Sequence, residues 1–320
     1  MTIPFVDPTT LSPLERSGDT WILPGTDSVV ARVIDGIPRF VTPDANYAES
    51  FGYQWKRWAS ARSDIRNPGH NLRGTVLGRT HFDEFDLDGK TLLECGMGGG
   101  DDTEVLLQLP FSEVHSFDLS TAVERAAIYL KDPRLTLSQA SIFEIPYPDE
   151  SFDVVYCHRV LQHTPDPARA LESICRKVKP GGLLFAHAYK RSFVHMSEWR
   201  YKYRWLTKRL PWRQIARYVD AAGPRLHALT HRLYRTRLGA AFAYQFVPWY
   251  YISPKTHSHL SAAQILEMEQ HVTFDAMTPW HDHPMSARTF KKIINDAGFE
   301  MIHLFDPRTS PIYCTAVRQR

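Results

Sequence analysis

Short apolar runs separated by amphipathic stretches dominate the middle of the chain. Thr91–Cys95 (TLLEC), Glu113–Phe117, Leu135–Gln139, Phe152–Cys157 and the run LLFAHAY after Gly182 read as strands. Helical spacing predicts helices over Asp102–Leu109, Thr121–Leu130, Pro167–Val178 and Ser286–Ala297, the last ended by Gly298. Apolar strands alternating with helices imply a parallel sheet with right-handed crossovers. Two closing strands, Phe299–Phe305 and Ile312–Val317, are joined by a turn short enough for an antiparallel hairpin. The pattern predicts a doubly wound α/β fold.

The flanking segments differ from this core. The N-terminal stretch is rich in Pro, Gly and aromatics, with Val29–Ile34 a short strand closed by the Asp35-Gly36 turn. A helix is expected from Ala45, placing Phe51, Trp55 and Trp58 on one face. With too few apolar residues for a core of its own, residues 1–75 are expected to form a cap or lid on the larger domain. The core is expected over 76–189 and 280–320, and 190–279 is expected to be a helical insertion. Lys190–Arg237 holds thirteen Lys and Arg against two acids, Glu198 and Asp220.

That concentration stands out because the whole chain is nearly balanced, with 38 basic and 35 acidic residues. A net charge of +3 argues against a general nucleic-acid binder. Four scattered cysteines, with no CxxC pair, indicate free thiols in a reducing compartment. The N-terminus lacks a basic start followed by an apolar stretch, and no apolar run reaches the ~20 residues of a membrane span. The chain is expected to be cytoplasmic.

The candidate chemistry begins at Glu94-Cys95-Gly96-Met97-Gly98-Gly99-Gly100. Glycines there allow a sharp turn and close backbone approach to a nucleotide-like ligand. A dinucleotide fingerprint would need glycine at 101, where Asp101 stands, and the Asp101-Asp102 pair would repel a pyrophosphate. Asp118, at the end of the next strand, suits a bidentate grip on ribose hydroxyls.

With LLECGMGGG, SFDLS, SIFEIPYPDESFDVVYCHRVLQHTPDP and VKPGG, the chain resembles the class I S-adenosylmethionine-dependent methyltransferases. DGIPRFV and YAESFGYQW are similar to a bacterial branch associated with polysaccharide and small-molecule modification. The resemblance implies a Rossmann-like seven-stranded sheet with a closing hairpin, and S-adenosylmethionine as cofactor. It implies that Gly96, Gly98 and Gly100 line the methionine and ribose, that Glu94 acts near the amino group, and that Asp118 holds the ribose, with Leu119 beside it. Ser141 occupies the place of the family's adenine-binding acid, with Ile142 offering a backbone contact, and His158 borders the cofactor. Tyr53, Gln54 and Trp55 are candidate lid residues. No metal is expected.

Methyl transfer is an in-line displacement, so positioning supplies much of the acceleration. An alcohol acceptor also needs a base, most often histidine. His163 follows the fourth strand at the carboxyl edge of the sheet, where a packing role competes with general base. Tyr189 and His187 share one face of the fifth strand. His283, in WHDHP before the final helix, is a candidate acceptor contact or base. The basic insertion interleaves aromatics with cations and points to an anionic small molecule or glycan, with some of Arg191, Arg200 and Arg204 facing it. A peripheral membrane contact through 190–237 is the competing reading. RNA ranks below both, as no RNA-binding module accompanies the patch. The expected function is methyl transfer, at oxygen, to a small-molecule or glycan acceptor. The alternatives are a non-catalytic cofactor-binding module and an RNA or lipid-linked acceptor.

Overall fold

The structure is a computed structural model describing residues 3–41, 47–58 and 71–320. One mixed sheet of eleven strands runs through it, in the order β1-β2-β3-β4-β7-β6-β5-β8-β9-β11-β10. The seven from β7 to β10 are the core read from the sequence: β5 (Thr91–Cys95), β6 (Glu113–Asp118), β7 (Leu135–Gln139), β8 (Phe152–Cys157), β9 (Val178–Ala188), β10 (Phe299–Phe305) and β11 (Ile312–Arg318). β5 to β9 are parallel, and β11 runs antiparallel to both β9 and β10. Both faces of β5 are buried. Leu93 enters one core cluster with Phe117 and Val155, and Leu92 enters the other with Val114 and Tyr156. That is why the strand reads as a continuous apolar run.

The sequence reading undercounted the sheet. Four N-terminal strands extend it: β1 (Glu15–Ser17), β2 (Thr20–Ile22), β3 (Val29–Ile34) and β4 (Ile37–Arg39) form an antiparallel meander whose last strand pairs parallel with β7. Asp35 and Gly36 both sit at positive φ, the backbone of a tight hairpin turn. Arg39 locks the join, donating to Gln139 Oε1 (3.1 Å) and pairing with Glu124 (3.2 Å). Phe5 packs against Trp21, Phe40 and Tyr147, so the N-terminal segment shares the main core.

The helices α1 (Glu49–Arg57), α2 (Leu72–Thr80), α3 (Asp101–Leu106), α4 (Ala122–Tyr129), α5 (Pro167–Cys175) and α11 (Ala287–Asp296) cover the sheet. The expected start of α1 at Ala45 lies outside the described residues. α5 is capped by Asp166, whose side chain accepts from the amides of Ala168 and Arg169, with Pro167 in the first helical turn. It stops at Cys175, three residues before the end read from the sequence, because Val178 opens β9.

Between β9 and α11 stand α6 (Phe193–Met196), α7 (Trp199–Thr207), α8 (Trp212–Leu233), α9 (Arg237–Phe246) and α10 (Ala262–Met277). They build a separate core from Trp199, Ile215, Val219, Trp249 and Phe274, into which Trp58 inserts from the N-terminal segment. All four cysteines are free and buried. Among the described residues, no helix is long and apolar enough to cross a membrane.

Candidate functional site

At the carboxyl ends of β5, β6 and β8 lies a cavity of about 410 Å³, a size common among small-ligand sites. Its floor is the glycine turn. Gly96 and Gly98 adopt φ of 77° and 54°. The amides of Gly96 and Met97 donate to the Phe117 carbonyl, and the Gly98 amide donates to Asp118 Oδ2 at 2.8 Å. A Cβ at Gly96 would lie 2.2 Å from a methyl of Val160, so glycine is required by space as well as by φ. Asp118 also accepts from the amide and hydroxyl of Ser120 through Oδ1. The turn and the carboxylate therefore hold each other in place. Leu119 and Ile142 line the adjoining wall.

Two residues predicted to hold the cofactor stand elsewhere. Gly100 caps α3 at φ 88°, packed against Leu130 and Ala126, and is not part of the cavity lining. Ser141 is also outside the lining, between Ala140 and Ile142, which belong to it. Its hydroxyl accepts from the Phe143 amide, a local turn that competes with any ligand.

One end of the cavity is strongly polar. Glu94 is buried, and its Oε2 accepts from the hydroxyls of Thr103 (2.6 Å) and Ser116 (2.8 Å). Burial pushes its pKa up to about 8 against those two hydrogen bonds. Beside it, Asp102 Oδ2 accepts from Arg79 (2.8 Å), the Tyr156 hydroxyl (2.6 Å) and His158 Nδ1 (2.7 Å). Burial alone would raise the Asp102 pKa, but Arg79 and His158 hold it well below the usual carboxylate range. Burial, reinforced by Arg79, pushes His158 down to about 3, so its imidazole is neutral. With Nδ1–H donated to Asp102, its Nε2 carries the lone pair. Arg79 Nε is buried without a hydrogen-bond partner among the described residues. Sequence reasoning read Asp102 as favouring its helix and repelling a pyrophosphate, and missed Arg79 and Tyr156. The aspartate pair after the glycines was visible, but nothing local signalled the arginine that meets it.

The opposite side is aromatic. Trp55 of α1 lies against the glycine turn, since a Cβ at Gly98 would come within 2.8 Å of its ring. Gln54 donates through Nε2 to Asp275 of α10 (2.9 Å), and its buried Oε1 has no partner among the described residues. Tyr53 instead packs with Trp58, Trp212 and Phe274 in the insertion core. His163 lines the cavity between the rings of Phe51 and Tyr189, with Nδ1 3.3 Å from the His281 carbonyl. Burial, with Asp275 nearby, raises the Tyr189 pKa, so the phenol keeps its proton. His187 sits one layer back, its ring edge-on to His158 and stacked on Tyr313. His283 is exposed outside the cavity, its amide donating to the Gln162 carbonyl and its ring beside His281. That backbone bond fixes the loop register, and the imidazole is not among the groups that line the cavity.

The insertion arginines also depart from expectation. Arg200 is buried, with Nε 3.1 Å from Glu198, Nη2 on His195 (2.8 Å) and the Tyr201 hydroxyl (2.9 Å), and its plane over Tyr189 at 4.9 Å. Arg204, also buried, donates to the carbonyls of Pro279 and Trp280. Arg191 is exposed. None of the three lines the cavity, whose arginines are Arg79 and Arg159.

Residues 93–186 match the model of the methyltransferase domain family. The ubiquinone biosynthesis O-methyltransferase of Thiobacillus denitrificans is 32% identical over 154 residues, covering 47% of this chain and 65% of the relative. That of Histophilus somni is 29% identical over 158 residues, covering 47% and 66%. The chain thus spans just under two thirds of the length of these relatives. An S-adenosylmethionine-dependent methyltransferase structure from Mesorhizobium loti aligns over 73% of this chain and 93% of its own, at 15% identity and a TM-score of 0.44.

Proposed function

We propose that residues 93–186, which match the methyltransferase domain family, form a class I S-adenosylmethionine-dependent methyltransferase domain, and that the chain methylates an oxygen of a small amphiphilic acceptor. The observation that carries this reading is the two-ended cavity, ionic beside the glycine turn and aromatic beneath α1. S-adenosylmethionine, when bound, supplies an electrophilic methyl on a sulfonium. The residues fit it: Gly96, Met97 and Gly98 bring their backbone to the cavity beside the Asp118 carboxylate, and Arg79 Nε and Gln54 Oε1 are buried polar atoms without a partner among the described residues. Asp118 would take the ribose hydroxyls, Glu94 the ammonium and Arg79 the carboxylate, with Leu119 and Ile142 against the adenine. Neutral His158 adds no positive charge beside the sulfonium.

On the acceptor side, Phe51 and Trp55 exclude water. His163, with Nδ1–H directed at the His281 carbonyl, presents Nε2 to take the hydroxyl proton as the new C–O bond forms. Tyr189 keeps its proton and orients the acceptor oxygen by donating to it. The matched relatives are named as O-methyltransferases, which supports oxygen as the accepting atom. An anionic or glycan acceptor draws no support from Arg200 and Arg204, which are consumed by the insertion's own structure.

An amphiphilic acceptor is supported by the outer face of the insertion. Leu238, Phe242 and Phe246 repeat every fourth residue along α9, all exposed, with Leu238 86% open. Lys202 Nζ lies 4.1 Å from the Phe246 ring, and the Tyr244 hydroxyl donates to the Val194 carbonyl, bringing in Phe193, which is 91% open. Apolar rings framed by Lys202, Arg235 and Arg237 are complementary to an anionic lipid surface. Behind them, the His195 ring of α6 packs on Tyr189 in the cavity wall.

Incubation with methyl-labelled S-adenosylmethionine and fractionated cell extract is expected to place label in the lipid-extractable fraction. The protein is expected to pellet with vesicles containing anionic phospholipid, and Leu238→Ser/Phe242→Ser to abolish pelleting while donor affinity holds. Label confined to water-soluble glycan would overturn the acceptor class. Donor binding with no labelled product would favour the binding-module reading.

Glu94 supplies a test of the donor site. Its folded pKa of about 8 means the acid is mostly protonated at pH 7, and an incoming ammonium would displace that proton. Calorimetry in buffers of different ionisation enthalpy is expected to show close to one proton released at about pH 6–7 and about half a proton at pH 8. Release should fade above pH 9 and vanish in Glu94→Gln. The same raised pKa makes Glu94 a group whose stabilising share is lost as pH rises through 8.

A further inference from the structure

We propose that His227, His231 and Glu269 form a binding site for a zinc-class divalent metal ion, stapling α8 to α10. The two histidines are four residues apart on α8, hence on one face, with ring centroids 4.0 Å apart. His227 Nδ1 lies 2.7 Å from Glu269 Oε2, and His231 Nε2 lies 2.8 Å from Oε1. The three ligand atoms fall within 4.8 Å of one another. Two imidazoles and a carboxylate are the donor set that suits zinc in preference to magnesium or calcium, and three protein ligands leave a fourth position for water.

Three further features favour an ion over a plain hydrogen-bond network. Glu269 is fully buried, and its ion-pair partners among the described residues are these two histidines, with no Lys or Arg. A buried carboxylate demands a compensating positive charge, which a divalent ion supplies without protonating either ring. The carboxylate is also held in orientation from behind, accepting from Trp249 Nε1 (2.9 Å) and the Ile252 amide (3.0 Å), as outer-shell partners hold metal ligands. Finally, the His227 and His231 side chains are 25% and 22% exposed, so an ion has a path from solvent. A second cluster, His81, Glu84 and His303, lies nearer the surface and serves as an internal comparison. The consequence for the site is mechanical: Ile252, anchored through its amide to Glu269, and Met268, one residue before it, both line the cavity.

The test uses the full chain, stripped with chelator and titrated with zinc ion alone. The expected result is one ion bound per chain and a raised melting temperature, with tetrahedral absorption bands when cobalt replaces zinc. His231→Gln keeps a donor to Oε1 and preserves the fold, checked by circular dichroism, and should weaken binding by about a hundredfold or more. His81→Gln should leave that ion in place. Wild-type protein that binds no zinc would overturn the proposal, as would binding lost in His81→Gln and retained in His231→Gln.

Discussion

Arg200→Ala is expected to lower the unfolding free energy by about 3–5 kcal/mol, the cost of breaking a buried ion pair from one side. The guanidinium meets Glu198 at 3.1 Å, approaches Asp282 at 3.9 Å, donates to His195 and Tyr201, and covers the Tyr189 ring. Alanine would leave two buried carboxylates without their cation. The sign with pH follows. Burial already raises the Glu198 pKa, and Arg200 opposes that rise. In the variant the folded pKa would climb further above its unfolded value, so stability would be retained at low pH and lost as pH rises through the new pKa. Chemical denaturation should therefore show a smaller deficit at pH 5 than at pH 8. A deficit near zero at pH 8 would remove the ion cluster as a structural element. Reversing Arg200 or Arg204 to glutamate would disrupt the fold before it could report on an acceptor.

Asp118→Ala is expected to weaken S-adenosylmethionine binding by about 1.5–3 kcal/mol, the range for hydrogen bonds to a charged group. The carboxylate stands at the end of β6, so the core should survive, but the variant also frees the Gly98 and Ser120 amides. Asp118→Asn separates the contributions, because its carbonyl can still accept from Gly98. Partial recovery is expected in calorimetric titration. Unchanged affinity in Asp118→Ala would remove this residue from the donor site, and tighter binding of NAD by wild type would change the cofactor class.

The central strands were legible because burial on both faces writes unbroken apolar runs. β5, β7 and β8 match the residues read from the pattern. β1 (ERS) and β2 (TWI) carry no such run and exist because β1 pairs with β2 and β2 with β3, in a meander whose last strand, β4, borrows the edge of β7. The same division holds for the site. The glycine turn and Asp118 sit beside each other in sequence and space, so local chemistry announced them. Arg79 meets Asp102 from 23 residues away and Gln54 meets Asp275 from 221, distances across which a single sequence gives no signal. The spacing of His227 and His231 was readable on its helix, but Glu269 came from another helix. Ser141 and His283 looked right by position, but the Ser141 hydroxyl is taken by the neighbouring Phe143 amide, and the loop of His283 is tied through its amide to Gln162, far away in sequence.

The eleven-stranded sheet has a bearing on self-association. A sheet that ends in open strands offers its unpaired amides and carbonyls to other chains. Here the two ends are guarded differently. β1 is only three residues long, exposed and polar, a poor template for an added strand. β10 is longer and shows Ile302, Leu304 and Phe305 to solvent, but its pairing with β11 slips between Met301 and His303. That bulge at Ile302 twists the edge and breaks the regular ladder an incoming strand would need. The parallel strands that carry the glycine turn and Asp118 thus lie in the interior of the sheet, several strands from either end where aggregation could begin.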